Sequence, residues 1–157
     1  VVAVMMGVDQ EIDALRRATG ARHPGAVTID AHADAAGRYL LAYAAGVPVP
    51  GIEDAGIAVA WERVGEFDRA VLKATAAVSY GRTVAYGVLA ARAGRPGAAR
   101  AAGAALSRNP WPVIVPCHRV VGARGDLVGF GKGIAAKDAL LRFEAAAVVR
   151  AAVGRAQ

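Results

Sequence analysis

The chain has 157 residues, 55% of them hydrophobic and 20% charged, which excludes a disordered or collagen-like polymer and leaves room for one ordinary domain or two very small ones. Its formal net charge of +6 is unevenly held: residues 1–66 carry five basic and nine acidic side chains, residues 67–157 fourteen basic and four acidic. The single cysteine, Cys117, excludes an internal disulfide and, with only three histidines, leaves no room for a cysteine-rich zinc site, so neither a metal nor a cofactor is expected.

In chain order, Val1–Val8 is a strand candidate, because this apolar run has no positive region before it and ends at Asp9, unlike a signal peptide. Glu11–Thr19 reads as helical and Ala26–Ile29 as extended. A helix is predicted over Asp34–Ala45, carrying Tyr39, Leu40 and Tyr43, before the breaker Gly46–Gly51. Gly56–Trp61 is expected to return to a sheet. The longest uncharged stretch, Tyr39–Ile52, is too short to span a bilayer and contains Pro48 and Pro50, so no membrane segment is expected. With a lone cysteine, a reducing, cytoplasmic setting follows.

After Gly65 the pattern changes to short helices. Asp68 is placed to cap a helix over Arg69–Val78 that buries Val71, Leu72 and Thr75, and Ser79-Tyr80-Gly81-Arg82 forms a turn. Thr83 caps a second helix, Val84–Ala93, with Val84, Val88 and Leu89 on one stripe. The stop Gly94-Arg95-Pro96-Gly97 leads to a third helix over Ala98–Ser107. Short helices joined by a tight turn resemble a helix-turn-helix. The third helix, almost all alanine around Arg100, suits either close approach to a groove or tight packing in a core with Arg100 at its rim. From Arg69 to Asp126 there is no carboxylate before the last residue and nine basic residues, a one-signed segment that attracts polyanions such as nucleic acid.

The chemistry concentrates in Asn109-Pro110-Trp111-Pro112-Val113-Ile114-Val115-Pro116-Cys117-His118-Arg119-Val120. A lone cysteine is usually a small buried hydrophobe. Here prolines favour an extended approach to Cys117, and His118 and Arg119 set proton-accepting and cationic groups beside a sulfur that reacts only as thiolate. Adjacent residues of an extended segment point opposite ways, so a bridging water could relay the proton to His118.

These residues resemble the O6-alkylguanine-DNA alkyltransferase family. The resemblance rests on Pro116-Cys117-His118-Arg119-Val120 preceded by Asn109-Pro110, on Gly129-Phe130, Gly133, Lys137 and Leu140–Glu144 after it, and on Ser79–Tyr86 and Ala98–Ala101 before it. It covers about Gly65–Glu144, roughly half the chain. It implies that Cys117 accepts an alkyl group from guanine O6, that His118 takes the thiol proton through a water, that Glu144 orients the imidazole, and that Tyr86 helps to protonate the departing base. Arg100 is implied as the finger that fills the space left by the flipped base, within a DNA contact set of Arg95, Ala99, Ala101 and Arg119. Asn109 is implied as a brace, and Val128, Gly129, Phe130, Gly131 and Lys132 as the wall of the base pocket. Phe130 stands where many members have tyrosine, and Leu72 where tryptophan is common.

The expected architecture is α+β: a small α/β domain over residues 1–64, in which no motif is recognisable, and a mainly helical DNA-binding and reactive domain over residues 65–157. The implied activity is single-turnover repair of O6-alkylguanine in double-stranded DNA, by a monomer. Two alternatives remain at this level: an alkyltransferase-like protein that binds the lesion without transfer, and a cysteine hydrolase using Cys117, His118 and Glu144. Taken alone, Lys137 and Glu144 also read as solvated charges on a C-terminal helix.

Overall fold

A computed structural model describes residues 31–155, with side chains from residue 35, so the elements expected over Val1–Val8, Glu11–Thr19 and Ala26–Ile29 lie outside the described residues. The described chain is mostly helical with one two-stranded sheet. Helix α1, Ala31–Ala44, buries Ala35, Tyr39 and Tyr43, one residue per helical turn on a single stripe. The return to a sheet expected over Gly56–Trp61 does not occur: the segment leaves a turn and enters a single 3-10 turn at Trp61–Arg63, with no ladder partner.

Helix α2, Glu66–Ala76, begins at Gly65 rather than at an Asp68 cap. Glu66 and Asp68 lie in its first turn, where carboxylates face the positive end of the helix dipole. The buried stripe is the expected one, Val71, Leu72 and Thr75, with the Thr75 hydroxyl donating back to the Val71 carbonyl at 2.8 Å. Asp68 instead accepts two 2.8 Å hydrogen bonds from Arg108 beyond the third helix.

The second helix starts later than its apolar pattern suggests. Val84–Ala85 forms strand β1, pairing in parallel with β2, Val120–Val121, in the register Val84↔Val120 and Ala85↔Val121. Helix α3 is therefore Tyr86–Arg92, with Leu89 and Ala90 buried while Val88 faces solvent. It closes as a Schellman motif, Arg95 N–H donating to Ala90 O at 2.9 Å and Gly94 N–H to Ala91 O at 3.0 Å, with Gly94 in the left-handed region at φ +77. Helix α4, Ala99–Ser107, buries Ala102, Ala105 and Leu106 against α2 and α3. Its small side chains allow that close packing and leave Arg100 on the exposed side.

Helix α5, Ile134–Gly154, buries Lys137, Leu140, Glu144 and Ala147 on one face, so two charged residues point inward from it. The core has two parts. One joins α2, α3, α4 and the Val115–Val120 segment; the other joins Tyr39, Tyr43, Val49 and Ile52 to Val113, Ile114 and Leu140.

Gly81 shows how tightly α5 is docked. Its φ is +69, a built Cβ would meet Val148 Cγ2 at 2.6 Å, and its N–H donates to Glu144 Oε2 at 2.9 Å. Left-handed strain and overpacking together predict that Gly81→Ala costs about 2–3 kcal/mol in urea unfolding. An unchanged unfolding midpoint would contradict this packing.

Candidate active site

The short parallel ladder sets two functional segments side by side. Tyr86 directly follows β1, and Cys117–Arg119 directly precedes β2, so pairing Val84 with Val120 fixes both. The cysteine lies in a 3-10 turn, Cys117–Arg119, not in the extended chain that its prolines suggest. Cys117 and His118 are buried.

Asn109 ties down the approach to that turn. Its Oδ1 accepts the Trp111 N–H at 3.0 Å, and its Nδ2 donates to the Val115 carbonyl at 2.8 Å and to Cys117 Sγ at 3.3 Å. An N–H aimed at sulfur stabilises negative charge there. Between these contacts Val113 sits at φ +68, an outlier for a β-branched residue that persists only where its surroundings over-determine the backbone.

Behind the cysteine lies a buried carboxylate. His118 Nε2–H donates to Glu144 Oε1 at 2.7 Å, and Tyr43 from α1 donates to the same oxygen at 3.0 Å. Arg119 donates through Nε at 3.0 Å to Oε2 and through Nη2 at 3.0 Å to Oε1, while its Nη1 binds the Val78 carbonyl at 2.6 Å. Burial opposes charge on Glu144, but the hydrogen bonds from His118 and Arg119 outweigh it and bring the carboxyl down to about 2. Burial also lowers His118, against the pull of Glu144 and with the help of the Arg119 charge. The ring is thus neutral, with Nε2 protonated, and its buried Nδ1 has no partner among the described residues.

This arrangement corrects two readings of the sequence. Arg119 is 3% exposed and fully engaged with Glu144 and Val78, so it is not presented to a DNA backbone. Lys137 and Glu144 are not solvated charges but fully buried. Lys137 Nζ donates to the Val128 carbonyl at 3.0 Å and lies 3.4 Å from Tyr86 Oη; burial pushes its ammonium below the usual lysine range, against the pull of Cys117. The Tyr86 hydroxyl lies 3.0 and 2.9 Å from the carbonyls of Val128 and Gly129, and burial, then the charge of Cys117, raises its pKa.

In front of Cys117 opens a cavity of about 800 Å³. Tyr86, Asn109 and Cys117 line it, as do Val128, Gly129, Phe130, Gly131 and Lys132, with Ala99 and Arg100 at its α4 side. Arg95 and Ala101 are exposed outside it, the Arg95 guanidinium 5.8 Å from the Phe67 ring centroid. Sequence reasoning missed Tyr43 as a site residue, because an aromatic on an apolar helix stripe carries no sign of a partner 101 residues away. Among the described residues no group of His, Cys, Asp and Glu is placed to hold a metal ion, and no helix is long and apolar enough to cross a membrane.

Residues 66–146 match the family model described as 6-O-methylguanine DNA methyltransferase, DNA binding domain. The methylated-DNA–protein-cysteine methyltransferase of Mycobacterium leprae is 52% identical over 79 residues, covering 50% of this chain and 48% of that protein. Its counterpart in Salmonella typhimurium is 51% identical over 78 residues, covering 50% and 46%. The chain thus spans about half the length of the curated relatives it matches. The crystal structure of Mycobacterium tuberculosis OGT in complex with DNA superposes with a TM-score of 0.63 at 43% identity, covering 73% of this chain and 68% of that one. The O6-methylguanine-DNA methyltransferase of Pyrococcus kodakaraensis gives 0.59 at 28% identity, covering 88% and 80%.

Acid stability reads out the buried carboxylate. With an ordinary value of 4.5 and a folded value of about 2, ionised Glu144 contributes stability that is complete above pH 4.5 and is lost as the pH falls through about 2. His118, lowered from 6.5, acts in the same direction at higher pH. Urea unfolding is expected to show stability falling from about pH 5 to pH 2 by a few kcal/mol. Glu144→Gln should be less stable at neutral pH and should lose most of that slope; a variant that keeps the full slope would contradict the assignment.

Proposed function

This chain belongs to the 6-O-methylguanine DNA methyltransferase family, and from that premise we propose that it repairs O6-alkylguanine in double-stranded DNA by transferring the alkyl group irreversibly to Cys117. The observation that carries this reading is the placement of Cys117 on the wall of a cavity of about 800 Å³, backed by His118 and Glu144 and faced by Tyr86. The arrangement supplies a nucleophile, a proton acceptor with an oriented ring, and a donor for the leaving group.

In the proposed step the thiol proton passes through a water to His118 Nδ1, the nitrogen that no described residue occupies. Cys117 Sγ attacks the alkyl carbon, the S–C bond forms and the C–O6 bond breaks. The electron pair stays on guanine, which takes a proton from Tyr86; the imidazolium and tyrosinate then exchange protons with solvent. To donate to the base, Tyr86 gives up its hydrogen bond to Val128 or Gly129. The fixed anion of Glu144 stabilises the imidazolium as it forms, without taking up the proton itself. The thioether product has no hydrolytic route back to thiolate, so each molecule acts once.

We read α3 and α4 as the helix-turn-helix, with the exposed Arg100 entering the duplex where the target base leaves. Flipping a base costs a few kcal/mol, and a planar cation that stacks and hydrogen-bonds in its place offsets part of that. Arg95, Ala99 and Ala101 flank Arg100 on this face, and Lys132 extends positive charge across the cavity mouth. Residues 65–157 form the DNA-binding and reactive domain in this reading, residues 1–64 the N-terminal α/β domain, and the protein works as a cytoplasmic monomer.

Incubation with duplex DNA containing O6-methylguanine is expected to add one CH₂ to the intact mass, located on Cys117 by peptide mapping and absent from Cys117→Ala. A full-length protein that repairs nothing and gains no mass would overturn the reading.

A further inference from the structure

The family model covers residues 66–146 and stops short of α1, yet α1 reaches the reactive centre. Tyr43 is 1% exposed. Its hydroxyl donates to Glu144 Oε1 at 3.0 Å, the same oxygen that accepts His118 Nε2–H at 2.7 Å, and lies 3.4 Å from that nitrogen. The ring is clamped by Tyr80 and Phe143, each with its centroid 5.7 Å away, so the hydroxyl has little freedom to turn elsewhere. Burial, then the charge of Glu144, keeps this hydroxyl protonated at all working pH. It is a permanent donor at a shared oxygen.

We propose that Tyr43 is a positioning residue of the reactive centre, its hydroxyl fixing the Glu144 oxygen against which His118 is held, so that α1 is a working part of the site. This rests on the transfer reaction proposed above. The hydroxyl proton, given to Oε1, draws electron density from the oxygen that holds His118 Nε2–H. That weakens the pull of Glu144 toward a positive charge on the ring. His118 therefore stays neutral in the resting protein and free to accept the thiol proton, while still anchored by its own bond to Glu144. The other groups facing His118 are Glu144 and Lys137 from α5 and Arg119 on its own turn. Tyr80 and Tyr39 surround the same Glu144–Arg119 pair. Only the Tyr43 hydroxyl among these tyrosines lies within 3.4 Å of the His118 ring nitrogen in the described contacts.

Tyr43→Phe removes that donor and keeps the ring. Without it Glu144 pulls harder on a protonated ring, so the His118 titration midpoint, followed by NMR in the full chain, is expected to rise by about half to one unit. Single-turnover transfer from O6-methylguanine DNA should then fall about 3- to 10-fold at a pH below both midpoints and match the unmodified protein above them. A purely structural residue would alter the rate equally at every pH. Tyr80→Phe is the control, because the Tyr80 hydroxyl is buried without a partner among the described residues, and it should leave both readouts in place. An unchanged His118 midpoint in Tyr43→Phe would overturn the proposal. Should the unmodified chain transfer no alkyl group, the transfer reading fails, and the titration still decides the role of Tyr43. Should Tyr43→Phe not fold, the unmodified protein decides: a slowly exchanging Tyr43 hydroxyl proton is expected, and one averaged with solvent would overturn the proposal.

Discussion

The structure is organised around one buried anion. Moving a carboxylate out of water costs several kcal/mol even after relaxation, and Glu144 stays ionised only because donors from three separate segments converge on it. Tyr43 comes from α1, the Gly81 amide from the turn after α2, His118 and Arg119 from the 3-10 turn, and the carboxylate itself from α5. Each must be in place for the others to be tolerable. Breaking such a cluster by removing one partner leaves an uncompensated buried charge, so the same interaction that orients His118 also holds the reactive turn against α1 and α5.

From that anchor the chemistry propagates outward. Glu144 orients His118; His118 and Asn109 flank Cys117, one offering a proton acceptor and the other an N–H to the sulfur. The ladder between Val84 and Val120 carries Tyr86 to the opposite side of the pocket, where buried Lys137 pins both the tyrosine and the Val128 carbonyl. Glu144 and Lys137 lie two helical turns apart on one face of α5, one serving the rear of the cysteine and the other the front. One helix therefore sets the spacing between His118 and Tyr86, the acceptor and donor of the proposed transfer.

Much of this was legible in the sequence, and what was hidden had a common cause. The buried stripe of α2 and the turn after it follow from local periodicity, and the bounds of α2 and α4 fall within a few residues of those expected. Helix α3 begins two residues later than its pattern suggests because Val84 and Ala85 are taken by β2, a partner 36 residues away that no local rule anticipates. The family resemblance places Arg119 in the DNA contact set along with Arg100; only Glu144, 25 residues further along the chain, turns it inward. Tyr43 sits where no motif is recognisable, and its role depends on a carboxylate that a helix from the other end of the chain delivers. Cys117, His118 and Glu144 were named together from the family resemblance, while their dependence on Arg119 and Tyr43 required the fold.

The central claim is that burial keeps His118 neutral while a buried Glu144, ionised at neutral pH, holds its ring protonated on Nε2 and open on Nδ1. Long-range proton–nitrogen NMR of the His118 ring at neutral pH tests it most directly. The account predicts a single species with a protonated Nε2 and an unprotonated Nδ1. A ring carrying its proton on Nδ1, or one doubly protonated at neutral pH, would contradict it.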